Sequence, residues 1–87
     1  MSIFDKGVIL GSVNEAVSVM TQHYMREHPH TDIYKAIIAE VDKAVITTTL
    51  AETEGNQTKA SEVLAMNRGT FRAKRENLRI DRRGISR

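Results

Sequence analysis

Cysteine is absent from this 87-residue chain, which removes both a disulfide framework and a thiolate zinc site. Long apolar runs are absent too. No stretch approaches the roughly 20 residues that span a bilayer, so no membrane partner is expected. The opening "MSIFDKGVILGS" has one lysine and no extended apolar block, and does not read as a secretory signal. A cytoplasmic protein is the expectation. Catalytic signatures are missing as well: there is no Gly-x-Ser-x-Gly context and no phosphate-binding loop. His23, His28 and His30 flank the single proline, Pro29, and match no ligand spacing. They read as surface histidines. The chain is therefore expected not to be an enzyme, and to use no metal, cofactor or small-molecule substrate.

What is present is a charge asymmetry. Residues 1–54 hold four basic side chains against eight acidic ones, a net −4, whereas residues 55–87 hold nine against three, a net +6. An acidic body with a basic end points to a polyanionic partner, and nucleic acid is the foremost one.

Helical spacing runs through the first half. Ser12-x-x-Glu15 fits a capping box, and Val13, Ala16, Val17, Met20 and Tyr24 follow as one apolar stripe. Pro29 disfavours helix in the residue before it, so this helix is expected to run from Ser12 to about His28. Thr31 or Asp32 can cap a second helix, whose buried face is read as Tyr34, Ile37, Ile38, Val41, Ala44, Val45 and Thr48. The run "VITTT", Val45 to Thr49, is β-branched and favours strand by propensity. The helical period leading into it, with no turn before Gly55, predicts one long helix. The two stripes hold more apolar surface than two helices of one chain can cover, which predicts a second copy. The expected dimer core is Val17, Met20, Tyr34, Ile37, Ile38, Val41 and Val45.

Gly55 is expected to end the second helix as a C′ glycine. A short helix follows from Gln57 to about Leu64, with Ala60, Val63 and Leu64 on one face. Then come the turn Ala65-Met66-Asn67 and a last helix from Arg68 or Gly69 to about Leu78, anchored by Phe71 and Leu78. Two short helices about a tight turn, the second rich in arginine, form a helix-turn-helix pattern. The end, "RIDRRGISR", has no apolar period and is predicted to be mobile without DNA. The divisions expected are a short arm at 1–11, a helical dimerisation core at 12–54, a helix-turn-helix at 55–79 and a basic tail at 80–87.

The stretch "GNQTKASEVLAMNRGTFRAK" resembles the Fis-type helix-turn-helix, which also ends the NtrC class of activators. "DIYKAIIAEVDKAVI" is similar to the long helix before that motif in Fis, and a weaker likeness extends through Val13–Arg26. With no ATPase domain, the free-standing Fis-like proteins are the nearer resemblance. This resemblance implies an all-α fold, a four-helix Fis-like homodimer with an entwined core and a C-terminal helix-turn-helix. It also implies a nucleoid-associated, prokaryotic or phage-encoded protein that binds and bends double-stranded DNA at degenerate sites, in transcription regulation or DNA organisation. Recognition helices set closer than the ~34 Å pitch of B-DNA require a bent duplex, so specificity comes largely from deformability.

Site residues follow from position in that motif. Arg68 is the candidate for a bidentate contact to guanine. Asn67 caps the recognition helix or touches a base edge. Thr70 and Lys74 are expected at phosphates or base edges, and Arg72 at phosphate. Asn56, Gln57 and Thr58 open the preceding helix and are assigned to the backbone, with Asn56 alternatively a turn residue. Arg82 and Arg83, with Arg87, extend beyond the family's usual end toward flanking phosphates. The chain also departs from the family. Ala44 stands where a proline is usual in the long helix, and Ala73 where a basic residue is usual. Arg75 replaces an apolar residue and is expected to pack its stem while its head reaches solvent or phosphate. The arm is short, with "IFDKGVIL" at most a β stub about Lys6-Gly7, so invertase activation is not expected. The alternative function is a helical protein-interaction module whose DNA binding is weak or lost.

Overall fold

The computed structural model describes residues 6–85. Over these residues the chain forms α1 (Lys6–Glu27), α2 (Ile33–Glu52), α3 (Gln57–Val63) and α4 (Arg68–Asn77). The all-helical expectation holds over this range. The chain divides into two compact units, Met1–Ile37 and Ile38–Arg87.

In the first unit, α1 starts at Lys6 rather than at Ser12. The Ser12–Glu15 capping box does not begin a helix, because Ser12 lies inside one and no longer has the extended backbone an N-cap needs. The β stub is likewise absent where it can be judged: Lys6–Leu10 are helical, and Ile3–Asp5 lie outside the described residues. Helix α1 ends at Glu27, two residues before Pro29. Ile9, Leu10, Val13, Val19 and Met25 are exposed. Asp32, not Thr31, caps α2, its Oδ1 accepting from the Lys35 amide at 3.1 Å.

The threonine run in α2 is helical. Thr47 and Thr49 donate their hydroxyls to the carbonyls of Lys43 and Val45 at 2.8 and 2.7 Å. That back-bonding gives β-branched threonine a favourable rotamer in a helix.

The core of the second unit is Ile46, Leu50, Ala60, Phe71 and Ile80, with Leu64, Met66 and Leu78 packed against it. The stripe read from the sequence as a dimer face is not part of this core. Among the assigned dimer-core residues of α2, Tyr34, Ile38, Val41 and Val45 are exposed in the single chain and Ile37 alone is buried; in α1, Val17 and Met20 are half-buried. The side of α2 that carries Ile46 and Leu50 is the one that packs on the helix-turn-helix. In α3, Val63 is exposed while Ala60 and Ser61 are buried.

Helices α2, α3 and α4 end alike. Gly55 N–H bonds to Leu50 O and Glu54 N–H to Ala51 O; Met66 to Ser61 and Ala65 to Glu62; Ile80 to Arg75 and Arg79 to Glu76. This is the Schellman pairing. The left-handed C′ position is filled by Glu54, Ala65 and Arg79, at φ 54, 51 and 57°. Gly55 is therefore one place beyond C′, where it was expected. It still has φ +80°, and a Cβ there would lie 3.2 Å from the Arg82 carbonyl oxygen.

The tail expected to be mobile is folded over its described part. Ile80 is 1% exposed. The Asp81 carboxylate accepts from the amides of Arg83 and Ile85 at 2.8 and 2.9 Å. At Gly84, φ is +92° and a Cβ would meet the Leu50 side chain and the Thr47 carbonyl at 3.0 Å. A turn so close to α2 admits only glycine without strain. Period-based reading misses this packing because it comes from one buried isoleucine and a polar turn.

Candidate nucleic-acid interface

Both helices of the helix-turn-helix are capped by asparagine. Asn56 Oδ1 accepts from the Lys59 amide at 3.0 Å, and Asn67 Oδ1 from the Gly69 amide at 2.7 Å. The caps fix where each helix begins, and so where the next side chains project. Arg68 is the first residue of α4 and is exposed. Its Nη1 donates to the Thr58 hydroxyl at 3.4 Å, which links the start of α4 to the first turn of α3. Thr70, Arg72 and Ala73 are exposed on α4. Arg72 pairs with Glu76 one turn on at 3.1 Å, an exposed pair that contributes little.

Gln57, Arg68, Arg72, Arg75 and Arg82 line a cleft of about 470 Å³ whose other walls are Gly69, Phe71 and Glu76. Four guanidiniums against one carboxylate make it an anion-attracting concavity. The cleft gathers Gln57, Arg68, Arg72 and Arg82 of the assigned site, with Thr58 joined through Arg68. Arg83 is exposed on the tail turn; Arg87 lies outside the described residues. Lys74 turns elsewhere, to Asp42 of α2 at 3.3 Å.

Arg75 departs most from its sequence reading. Its head does not project into solvent: the side chain is 9% exposed, at the wall of the cleft. Nε donates to Gln57 Oε1 at 3.1 Å and Nη1 to the Ile80 carbonyl at 2.9 Å. The only signal for this in the sequence was its place at an otherwise apolar position of the helix.

Away from this surface, the rings of His23, Tyr24 and His28 lie within 6.2 Å of one another on α1. Among the described residues, no three His, Cys, Asp or Glu side chains are grouped to hold a metal ion, and no helix is long and apolar enough to cross a membrane.

A helix-turn-helix with an arginine at the head of its second helix and a basic cleft beside it is an arrangement suited to a polyanionic partner such as DNA. Residues 37–78 match the family described as bacterial regulatory protein, Fis family. A Pseudomonas aeruginosa protein whose name calls it Fis-like is 41% identical over 63 residues, covering 72% of this chain and 60% of its own length. Proteins named DNA-binding protein Fis from Vibrio cholerae and Vibrio campbellii are 41% identical over 44 residues, covering 51% of this chain and 45% of theirs. The chain thus spans about half to three-fifths of the length of these relatives. No solved structure matches it.

Proposed function

We propose that this chain is a DNA-binding regulator acting as a homodimer, whose paired helix-turn-helix units bind and bend double-stranded DNA at degenerate sites inside a bacterial cell. The observation that carries the reading is the basic cleft at the head of the Fis-family recognition helix, with Arg68 exposed beside it. In this reading Arg68 forks onto guanine, with Asn67 capping the helix beside it. Asn56, Gln57, Thr58, Thr70, Arg72, Arg82 and Arg83 hold the backbone. Lys74 joins them by exchanging Asp42 for a phosphate.

The dimer is supported by the apolar side chains of Tyr34, Ile38, Val41 and Val45, which the single chain leaves exposed. A contiguous apolar face of this kind is costly in water and fits a self-complementary interface.

An electrophoretic shift tests the function. A duplex with an AT-rich centre, which narrows its minor groove and bends readily, is compared with random duplex at two salt concentrations. Tighter binding to the AT-rich-centred duplex, weakening with salt, is expected. No shift with either duplex would defeat the reading and favour a protein-interaction module.

A further inference from the structure

Arg75 occupies a position that suits an apolar side chain, yet its guanidinium is buried and joins three segments. It projects from α4, donates to the Gln57 carboxamide at the start of α3, and donates to the carbonyl of Ile80 where the tail begins. The Ile80 backbone is itself held by its amide bond to Arg75 O at 3.0 Å. The guanidinium is thus anchored at one end and bound to Gln57 at the other.

A guanidinium only donates hydrogen bonds. The carboxamide that faces it must turn its oxygen inward, and the amide nitrogen on the same planar carbon then points away with two N–H groups. Gln57 lines the basic cleft with Arg68, Arg72 and Arg82. A leucine at position 75 would leave this amide free to flip and present either atom.

We propose that Arg75 is a positioning residue that orients Gln57 as a fixed hydrogen-bond donor to one phosphodiester of the DNA backbone. This rests on the DNA-binding reading above. Arg75 does not touch the phosphate; its charge is engaged within the protein by Gln57, the Ile80 carbonyl and Glu76, the last at 3.7 Å. Gln57 is neutral, so the contact adds affinity without neutralising a phosphate.

The test is a double-mutant cycle of Arg75→Leu and Gln57→Ala, with duplex affinity measured over a series of salt concentrations. Each single substitution is expected to weaken binding about tenfold for every sequence. The double substitution should be no weaker than either single one, and the salt slope should stay as in the wild type. Wild-type affinity in Arg75→Leu would overturn the proposal. So would losses that multiply in the double variant, or a slope flattened by roughly 0.9 per subunit, which would make Arg75 itself the phosphate contact. A wild-type protein that binds no duplex would instead overturn the DNA-binding reading, and this inference with it. A second measurement does not depend on Arg75→Leu folding. In the wild type, the Gln57 side-chain NH2 signals should shift on adding duplex, and unmoved signals would overturn the assignment.

Discussion

The Nζ of Lys74 lies 3.3 Å from Oδ2 of Asp42, so the recognition helix is tied by its own lysine to the long helix before it. Both side chains are about a third exposed or more, where such a pair contributes at most about 1 kcal/mol. A phosphate can therefore compete with Asp42 for this lysine. Replacing Asp42 with Asn releases Lys74 and removes a negative charge near the interface. Affinity for all duplexes should rise, while Lys74→Ala should weaken binding and flatten the salt slope by up to roughly 0.9 per subunit. An unchanged slope in Lys74→Ala would mean that Lys74 stays away from DNA.

Arg68 carries the specificity claim. Its fork matches the two acceptors guanine presents in the major groove. Arg68→Lys keeps the charge and loses the fork, so non-specific binding should largely persist while preference for guanine at one position per half-site falls by about 1–3 kcal/mol. Arg68→Ala should lose both. Affinities for matched and guanine-substituted duplexes distinguish the cases. If Arg68→Lys lowers both equally, the residue is a backbone contact.

The proposed dimer rests on the exposed face of α2. Ile38 is 40% exposed in the single chain and lies outside the core formed by Ile46, Leu50 and Phe71. Ile38→Asp would place an unpaired charge in the proposed dimer interface, at about 3–5 kcal/mol. Sedimentation equilibrium should show a dimer for the wild type and a smaller or unfolded species for the variant. A wild-type monomer that is folded at micromolar concentration would contradict the dimer.

The tail turn is a stability element. A methyl group at Gly84 would press on Leu50 and the Thr47 carbonyl at 3.0 Å, at a φ of +92°. Gly84→Ala should lower stability by about 1–3 kcal/mol and, by loosening the segment that carries Arg82, weaken DNA binding as well. Thermal denaturation checks the first effect. An unaltered melting temperature would mean that the turn does not stay docked in solution.

The turn of the helix-turn-helix offers the opposite change. Ala65 sits at φ 51°, a left-handed conformation that disfavours any residue with a Cβ by about 1 kcal/mol. Ala65→Gly should therefore raise stability by roughly 0.5–1 kcal/mol, visible as a melting shift of a few degrees, with DNA affinity unchanged. A lower melting temperature would show that the flexibility glycine adds to the unfolded chain outweighs the relief of strain.

These residues also separate what could be read along the chain from what could not. The asparagine cap at Asn67, a cap of α2 at Thr31 or Asp32, the stop before Pro29 and the turn around Met66 were legible, because each is decided by amides and carbonyls within a few positions. The basic end and the arginine at the head of α4 were legible for the same reason: charge and spacing are local properties. Burial is not local. Which side of α2 faces the helix-turn-helix was settled by Ile46 and Leu50 meeting Phe71 and Ile80, residues about 20 or more positions away, while the stripe read from its period stays exposed. Glycine at 55 was expected to fill the left-handed position, yet the Schellman pairing set that position at Glu54. Arg75, at a position where an apolar side chain would serve, is held inside because Gln57 and the Ile80 carbonyl arrive there from other segments. The tail, polar and without period, folds because Gly84 fits against Leu50. A hydrogen bond between neighbours needs only the backbone between them. A buried guanidinium or a docked turn needs partners that the completed fold alone brings within reach.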